Sequence, residues 1–209
     1  MHILITDDHA VVRRGLREIL ADSLKDATFS EAGNADDALR VLARNSTQIL
    51  VLDINMPGRS GLDVLKDVRR SYPRLPVIIL SVQPEDQYAM RCLRAGASAY
   101  INKDSAPEEL AQAARKVLGG GRYVSAGLAE KLVTILDDDA SKPRHALLSD
   151  RELEVMLLIA SGVSLTEIGN RLHVSAKTVS TYRTRVMEKM QTRSNAELTR
   201  YAVAQNLIE

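Results

Sequence analysis

A single cysteine, Cys92, stands among 209 residues. That excludes an internal disulfide and a metal site built from several thiolates. Cys92 lies beside Leu93 in a helical pattern and reads as structural. Long hydrophobic runs are also missing. The longest are strand-like segments such as Val77-Ile78-Ile79-Leu80, far short of a membrane span. The opening Met1-His2-Ile3-Leu4-Ile5-Thr6-Asp7-Asp8 has neither the basic region nor the apolar core of a signal peptide, so a cytoplasmic location is expected. A charge excess is absent too. The net charge is +1, so global charge favours no particular partner, and any basic patch must be local. With 45% apolar and 26% charged residues, the chain fits one or two ordinary globular domains rather than a disordered polymer.

What is present first is alternation. Apolar segments at Ile3 to Thr6, Thr28 to Ala32, Ile49 to Asp53, Pro76 to Val82 and Ala99 to Ile101 read as strands. A segment of helical spacing follows each of them. Five strand–helix units predict an α/β fold: a doubly wound, five-stranded parallel sheet with helices on both faces. Pro107 suits the first turn of the last helix of this set, and Gly119-Gly120-Gly121 ends it.

The third strand, Ile49-Leu50-Val51-Leu52-Asp53, is apolar until its last residue and then breaks at Pro57-Gly58. A carboxylate there stands at the rim where open α/β sheets build ligand sites. An isolated buried charge is costly, so Asp53 needs a cation, a hydrogen-bond network or a reaction. Asp7 and Asp8 end the first strand, Ser81 lies near the end of the fourth, and Lys103 follows the fifth. Strand ends share one edge of a parallel sheet, so these residues are expected to converge. Taken singly, each has a plain account as a turn, cap or surface residue; together they suit phosphorus chemistry. Three carboxylates repel unless a hard cation lies between them, and Mg²⁺ is the natural choice, with the Asn55 backbone carbonyl as a further ligand. Lysine and hydroxyl supply contacts for a phosphoryl group on Asp53.

Residues 1 to about 120 resemble the receiver domain of two-component response regulators. The resemblance is carried by Asp7-Asp8, by Leu52-Asp53-Ile54-Asn55-Met56-Pro57-Gly58 with Gly61, and by Ser81, Ala95-Gly96-Ala97, Tyr100 and Lys103-Asp104. It implies a flavodoxin-like receiver in which Asp53 accepts a phosphoryl group from a histidine kinase. It also implies Asp8, Asp53 and Asp7 around Mg²⁺, with Ser81 and Lys103 on the phosphoryl oxygens. Tyr100 would be the switch aromatic that turns inward when Ser81 moves. One departure is Val82, where many receivers have alanine. A larger side chain narrows the path of the hydrolytic water, so a long-lived phosphoryl group is expected.

After the glycines come a helix-like stretch from Leu128 to Leu136, the run Asp137-Asp138-Asp139, and Ser141-Lys142-Pro143-Arg144. This polar segment reads as a solvated linker. The boundaries follow: 1–121 for the receiver, 122–146 for a linker with a helix, and 147–209 for a second domain.

That second domain reads as all α, with four helices. Ser149-x-x-Glu152, Ser164-x-x-Glu167 and Ser194-x-x-Glu197 match capping boxes, and Ser175 is a fourth cap. Leu153, Met156, Leu157 and Ala160 are expected to be buried in the first helix; Leu165, Ile168 and Leu172 in the second; Val179, Tyr182, Val186 and Met190 in the third. The last carries Leu198, Tyr201 and Ala202. Two short helices joined by a tight turn give helix-turn-helix geometry. From Ala176 to Ser194 the bases Lys177, Arg183, Arg185, Lys189 and Arg193 face one acid, Glu188, which concentrates positive charge where DNA would lie.

Residues 147 to 209 resemble the LuxR-type helix-turn-helix domain. The carriers are Leu148-Ser149-Asp150-Arg151-Glu152-Leu153-Glu154-Val155, Ala160-Ser161-Gly162, Glu167-Ile168-Gly169, Leu172, Ser175-Ala176-Lys177-Thr178-Val179 and Lys189-Met190. By position Ser180, Thr181 and Thr184 face bases, with Lys177 and Thr178 near the backbone and Arg185 and Lys189 on the same basic helix. Gly169, where alanine is frequent, is expected to loosen the scaffold helix. The two resemblances imply a NarL/FixJ-class response regulator that binds double-stranded DNA as a homodimer on activation. A haloacid dehalogenase-type phosphohydrolase would need an acid two residues after Asp53, where Asn55 stands and cannot act as one, so no enzyme activity is expected. The other alternative is a phosphorylation-independent DNA-binding regulator that uses its receiver for dimerisation alone.

Overall fold

The computed structural model describes residues 1–57, 59–83, 85–130, 143–205 and 207–208, with the side chains of Asp86 and Gln87 excepted. Gly58, the acidic run Asp137-Asp138-Asp139, Ser141, Lys142 and the later part of the helix expected to run from Leu128 to Leu136 lie outside the described residues. The chain divides into two compact units, Met1–Asp138 and Asp139–Glu209.

In the first unit β1 (His2–Thr6), β2 (Thr28–Ala32), β3 (Ile49–Asp53), β4 (Val77–Ser81) and β5 (Ala99–Asn102) alternate with α1 (Ala10–Ser23), α2 (Ala35–Arg44), α3 (Gly61–Ser71), α4 (Glu85–Arg94) and α5 (Ala106–Leu118). The strands form one sheet in the order β2-β1-β3-β4-β5, all parallel. This is the expected doubly wound sheet. Its strand order reverses between β1 and β3, the crevice where such folds bind ligands. Every residue of β3 and β4 is buried, because helices cover both faces. Ile3, Ile5, Ile49, Val51, Ile78, Leu80 and Ile101 pack against α1 and α5; by the two-residue strand period, Leu4, Leu50, Leu52, Ile79 and Tyr100 point to the opposite face.

Register sets the site. Thr6 pairs with Leu52, so Asp7 and Asp53 are the next residues along two neighbouring strands. Asp53 pairs with Leu80 and Ser81 with Asn102, which brings Ser81 and Lys103 to the same rim. After β3 the chain turns back tightly: Gly61 donates its N–H to Ile54 O at 2.9 Å, and Ser60 caps α3 by accepting from Asp63 N. A Cβ on Gly61 would lie 2.0 Å from the Asp53 carbonyl oxygen. Only glycine permits that approach.

The start of the predicted linker packs on this unit. Tyr123 forms a parallel bridge with Ala99, its N–H donates to Ser98 O, and Leu128 is buried.

The second unit contains α6 (Asp150–Ala160), α7 (Leu165–Arg171), α8 (Ala176–Met190) and α9 (Asn195–Ala204), after a 3-10 turn at Arg144–Leu147. Its core is Leu153, Met156, Ile159, Ile168, Leu172, Val179, Val186, Met190, Leu198 and Ala202. Leu165 and Tyr182, expected to be buried, are half-exposed. All four serine caps form, each accepting a backbone N–H. Only Ser149–Glu152 closes the full box. Glu167 pairs with Arg171 instead, and Glu197 accepts from Arg193 N, one residue before the cap.

Gly169 gains a different meaning from the one its sequence position suggested. It is buried in the last turn of α7, packed against the turn to α8, where a Cβ would meet Val174 O at 2.7 Å. Val174 N donates back to Gly169 O at 2.9 Å, and His173 takes a positive φ of 51°. The glycine tightens the turn rather than loosening the helix.

Candidate functional site

Asp53 and Asp7 are almost wholly buried, as is Ser81. Lys103 Nζ lies 2.8 Å from Asp53 Oδ2 and 2.6 Å from Asp7 Oδ2. One ammonium therefore bridges the two acids. Asp53 Oδ1 accepts the Asn55 N–H at 3.1 Å. Burial pushes the Asp53 carboxyl above its ordinary pKa; Lys103 works against that, and Asp7 adds to it. Burial alone would lower Lys103, but Asp53 and Asp7 outweigh it, and its net shift is upward. Lys103 stays cationic while a single positive charge serves two carboxylates, so the cluster remains short of positive charge.

Asp8, at the same strand end, is half-buried. Its Oδ1 lies 2.8 Å from His9 Nδ1, and the His9 backbone N–H donates to Asp7 Oδ1 at 2.8 Å. Asp7, Asp8 and His9 each bring a ligand atom within 4.8 Å of the others. Asp53 joins this group through Lys103 rather than by that mutual distance. Carboxylate oxygens in this number suit a hard divalent cation. His9 was not singled out from sequence, although Asp7-Asp8-His9 at a strand end is itself a run of ligand types.

Ser81 and Tyr100 meet around Gln83. The Ser81 hydroxyl donates to Asn55 Oδ1 at 3.3 Å and accepts the Gln83 N–H at 3.0 Å. The Tyr100 ring is wholly buried, and its hydroxyl donates to Gln83 O at 2.8 Å. Tyr100 thus already points inward. Gln83 was not visible as a participant, because it acts through its backbone. Val82, next to Ser81, is exposed. Asn55, expected as a carbonyl ligand, enters here through its N–H and its amide oxygen.

The second candidate surface lies on α8. Lys177, Ser180, Thr181, Thr184, Arg185 and Glu188 line one shallow depression, a single stripe at helical spacing. The Thr181 and Thr184 hydroxyls donate to the carbonyls of Lys177 and Ser180, both at 3.1 Å, which leaves oxygen lone pairs facing outward. Thr178, half-buried, pairs with the Ser175 cap at 2.8 Å. Lys189 is placed differently from its expected role: its Nζ is 2.5 Å from Glu152 Oε2. Glu152 is buried, which favours its neutral form, but Lys189 and the Ser149 backbone and side chain hold its net pKa below the ordinary value. Lys189 serves the packing of α8 on α6. Arg183 is likewise engaged, with Asn195 Oδ1 at 2.9 Å.

Two family descriptions match the chain. Residues 3–115 match the response regulator receiver domain, and residues 146–202 match the luxR family of bacterial regulatory proteins. Response regulator UvrY of Escherichia coli K12 is 33% identical over 208 residues, spanning 99% of this chain and 95% of the relative. Response regulator GacA of Pseudomonas aeruginosa is 33% identical over 209 residues, spanning 99% and 97%. Among solved structures, RcsB of Salmonella typhimurium aligns with a TM-score of 0.70 and 26% identity, covering 98% of this chain and 97% of that one. RcsB of Salmonella enterica serovar Typhimurium, bound to promoter rprA in the presence of phosphomimetic BeF3-, aligns at 0.65 with 25% identity over 98% and 99%.

Proposed function

Since this chain belongs to the two-component response regulators, with a receiver and a luxR-family DNA-binding domain, we propose that Asp53 is the acceptor through which it is switched. The protein is a DNA-binding transcription regulator whose partners are a sensor histidine kinase, DNA and a second copy of itself. We assign the receiver to 1–121, the connector to 122–146 and the DNA-binding domain to 147–209, in a cytoplasmic protein. Among the described residues, no helix is long and apolar enough to cross a membrane.

The observation that carries the Asp53 assignment is its place at the topological switch point, buried and 2.8 Å from Lys103 Nζ. In the transfer an Asp53 carboxylate oxygen attacks the phosphorus of a phosphohistidine. A P–O bond forms, the P–N bond breaks, and the electron pair leaves with the imidazole, which takes up a proton. Lys103 then serves the phosphoryl oxygens, and Ser81, now on Asn55 Oδ1, turns its hydroxyl to them. Asp7, Asp8, Asp53 and the Asn55 carbonyl are the residues that would hold Mg²⁺. When bound, Mg²⁺ would neutralise charge that builds on the phosphoryl oxygens. The buried acids, served by a single lysine, fit such an ion. Asn55 offers an amide where a phosphohydrolase needs an acid, so we read the protein as a regulator and not an enzyme. Val82 beside the site supports a slow loss of phosphate; Val82→Ala should lose its phosphoryl group faster than wild type, and an unchanged rate would remove that reading.

On the DNA side, Lys177, Thr178, Ser180, Thr181, Thr184 and Arg185 are assigned to the duplex, with α8 in the major groove. The relative RcsB is known in complex with promoter DNA. Two copies on one duplex read paired half-sites and gain avidity. The test is DNA affinity with and without acetyl phosphate: wild type gains affinity and Asp53→Asn does not. Equal stimulation of both would defeat the assignment.

A further inference from the structure

A short series of hydrogen bonds leads from the buried site to the connector. Ser81 Oγ accepts from Gln83 N, Tyr100 OH donates to Gln83 O, and two residues later Glu85 begins α4. Glu85 Oε2 then accepts the Ser125 hydroxyl at 2.7 Å. Ser125 lies at the start of the connector and caps the helical turn at 126–130, accepting from Leu128 N at 3.1 Å. Just before it, Tyr123 is pinned to elements outside this path. Its N–H is bonded to Ser98 O at the head of β5, its hydroxyl donates to Glu109 of α5 at 3.0 Å, and Lys116 Nζ lies 5.8 Å from its ring centroid. The connector is thus held at two points. Tyr123 ties it to β5 and α5, while Ser125 ties it to the end of the loop that hangs on Ser81 and Tyr100.

We propose that the Glu85–Ser125 hydrogen bond is the contact through which the state of the Ser81–Gln83–Tyr100 group sets the direction of the helical turn at 126–130, where the connector begins. The proposal rests on the phosphorylation reading above and extends it to residues that touch neither phosphate nor DNA. Tyr100 is inward here, and in that arrangement the bond is made. The proposal assigns this bond to the form that phosphorylation selects, in which Ser81 also leaves Asn55 Oδ1 for the phosphoryl oxygens. Glu85 and Ser125 are positioning residues. With Tyr123 fixed, a shift of Glu85 would turn residues 124–130 rather than slide them.

The test uses the full chain, phosphorylated with acetyl phosphate, and reads two quantities: phosphoryl incorporation at Asp53, and DNA affinity with and without the donor. Glu85→Ala removes the acceptor and leaves the Ser125 cap intact. It should incorporate phosphate as wild type does, bind DNA as wild type does without the donor, and lose about threefold or more of the stimulated affinity. Glu85→Gln keeps a carbonyl acceptor and should retain most of the stimulation. Ser125→Asp keeps the cap but sets two carboxylates together, and should behave as Glu85→Ala does. Full stimulation in Glu85→Ala and Ser125→Asp, with normal incorporation, would overturn the proposal. Failure to incorporate phosphate in wild type would instead remove the reading on which it rests, so the two failures are distinguishable.

Discussion

Lys103 Nζ sits 2.8 Å from Asp53 Oδ2, and the same ammonium is 2.6 Å from Asp7. A buried acid that shares this lysine with a second acid is held in its charged form at a cost to folding. On the proposed reading, that cost is what prepares the carboxylate to take up a cation and a phosphoryl group.

The cost has a pH signature. Asp53 has a folded pKa above its ordinary 3.8, so the folded state binds this proton more tightly than the unfolded chain does. Its stabilising contribution is complete below the unfolded value and is lost as pH rises through the folded one. At neutral pH the ionised group therefore opposes folding. Asp53→Asn, in chelator, should be more stable than wild type at neutral pH by about 1 kcal/mol, and the gain should fade as pH drops into the carboxylate range. Thermal unfolding at both pH values checks this; a variant less stable at neutral pH would contradict it.

Gly61 is tied to the same carboxylate through the backbone. A methyl group at this position would lie 2.0 Å from the Asp53 carbonyl oxygen, and backbone must move to admit it. Gly61→Ala should cost about 1–3 kcal/mol and displace Asp53 enough to slow phosphoryl incorporation. Urea unfolding and acetyl phosphate labelling measure the two effects.

The basic residues of α8 should separate by role. Arg185 and Lys177 are exposed along the outward stripe, so replacing either with alanine should weaken DNA binding and reduce the slope of log affinity against log salt by about one. Lys189 is paired with buried Glu152. Lys189→Ala should leave the slope unchanged and destabilise the second unit by about 1 kcal/mol, a value moderated by the exposure of the lysine. Glu152 titrates below its ordinary 4.5 in the folded state, so its contribution is present above that value and lost as pH falls through the folded pKa. The deficit of Lys189→Ala should accordingly vanish in acid. Salt titrations of DNA binding and acid unfolding of each variant decide the matter.

The architecture was legible because strand and helix periods are short-range signals. Four buried residues before Asp53, and polar residues at or just past the ends of four of the five strands, already describe the rim of a parallel sheet. Convergence at that rim follows from parallel register, so Asp7, Asp53, Ser81 and Lys103 group together on the sequence alone. Partners made through backbone atoms were not legible. Gln83 contributes an N–H and a carbonyl, which every residue has. Lys189 reads as one more cation on a basic helix; only packing brings Glu152, 37 positions away, within reach of it. The reciprocal capping expected at Ser164 and Ser194 failed for a similar reason: Arg171 and the Arg193 N–H compete for the same glutamates. Gly169 shows the converse, a residue whose meaning is set by the carbonyl packed against it rather than by its helix propensity.

The destination of phosphorus tests the role of Asp53 most directly. Wild type and Asp53→Asn would be incubated with acetyl phosphate and magnesium, and the modified residue mapped by mass spectrometry of the digested protein. A single phosphoryl group on the peptide that carries Asp53, absent from the variant, is the expected result. Labelling of the variant to the wild-type extent, or of another carboxylate in wild type, would contradict it.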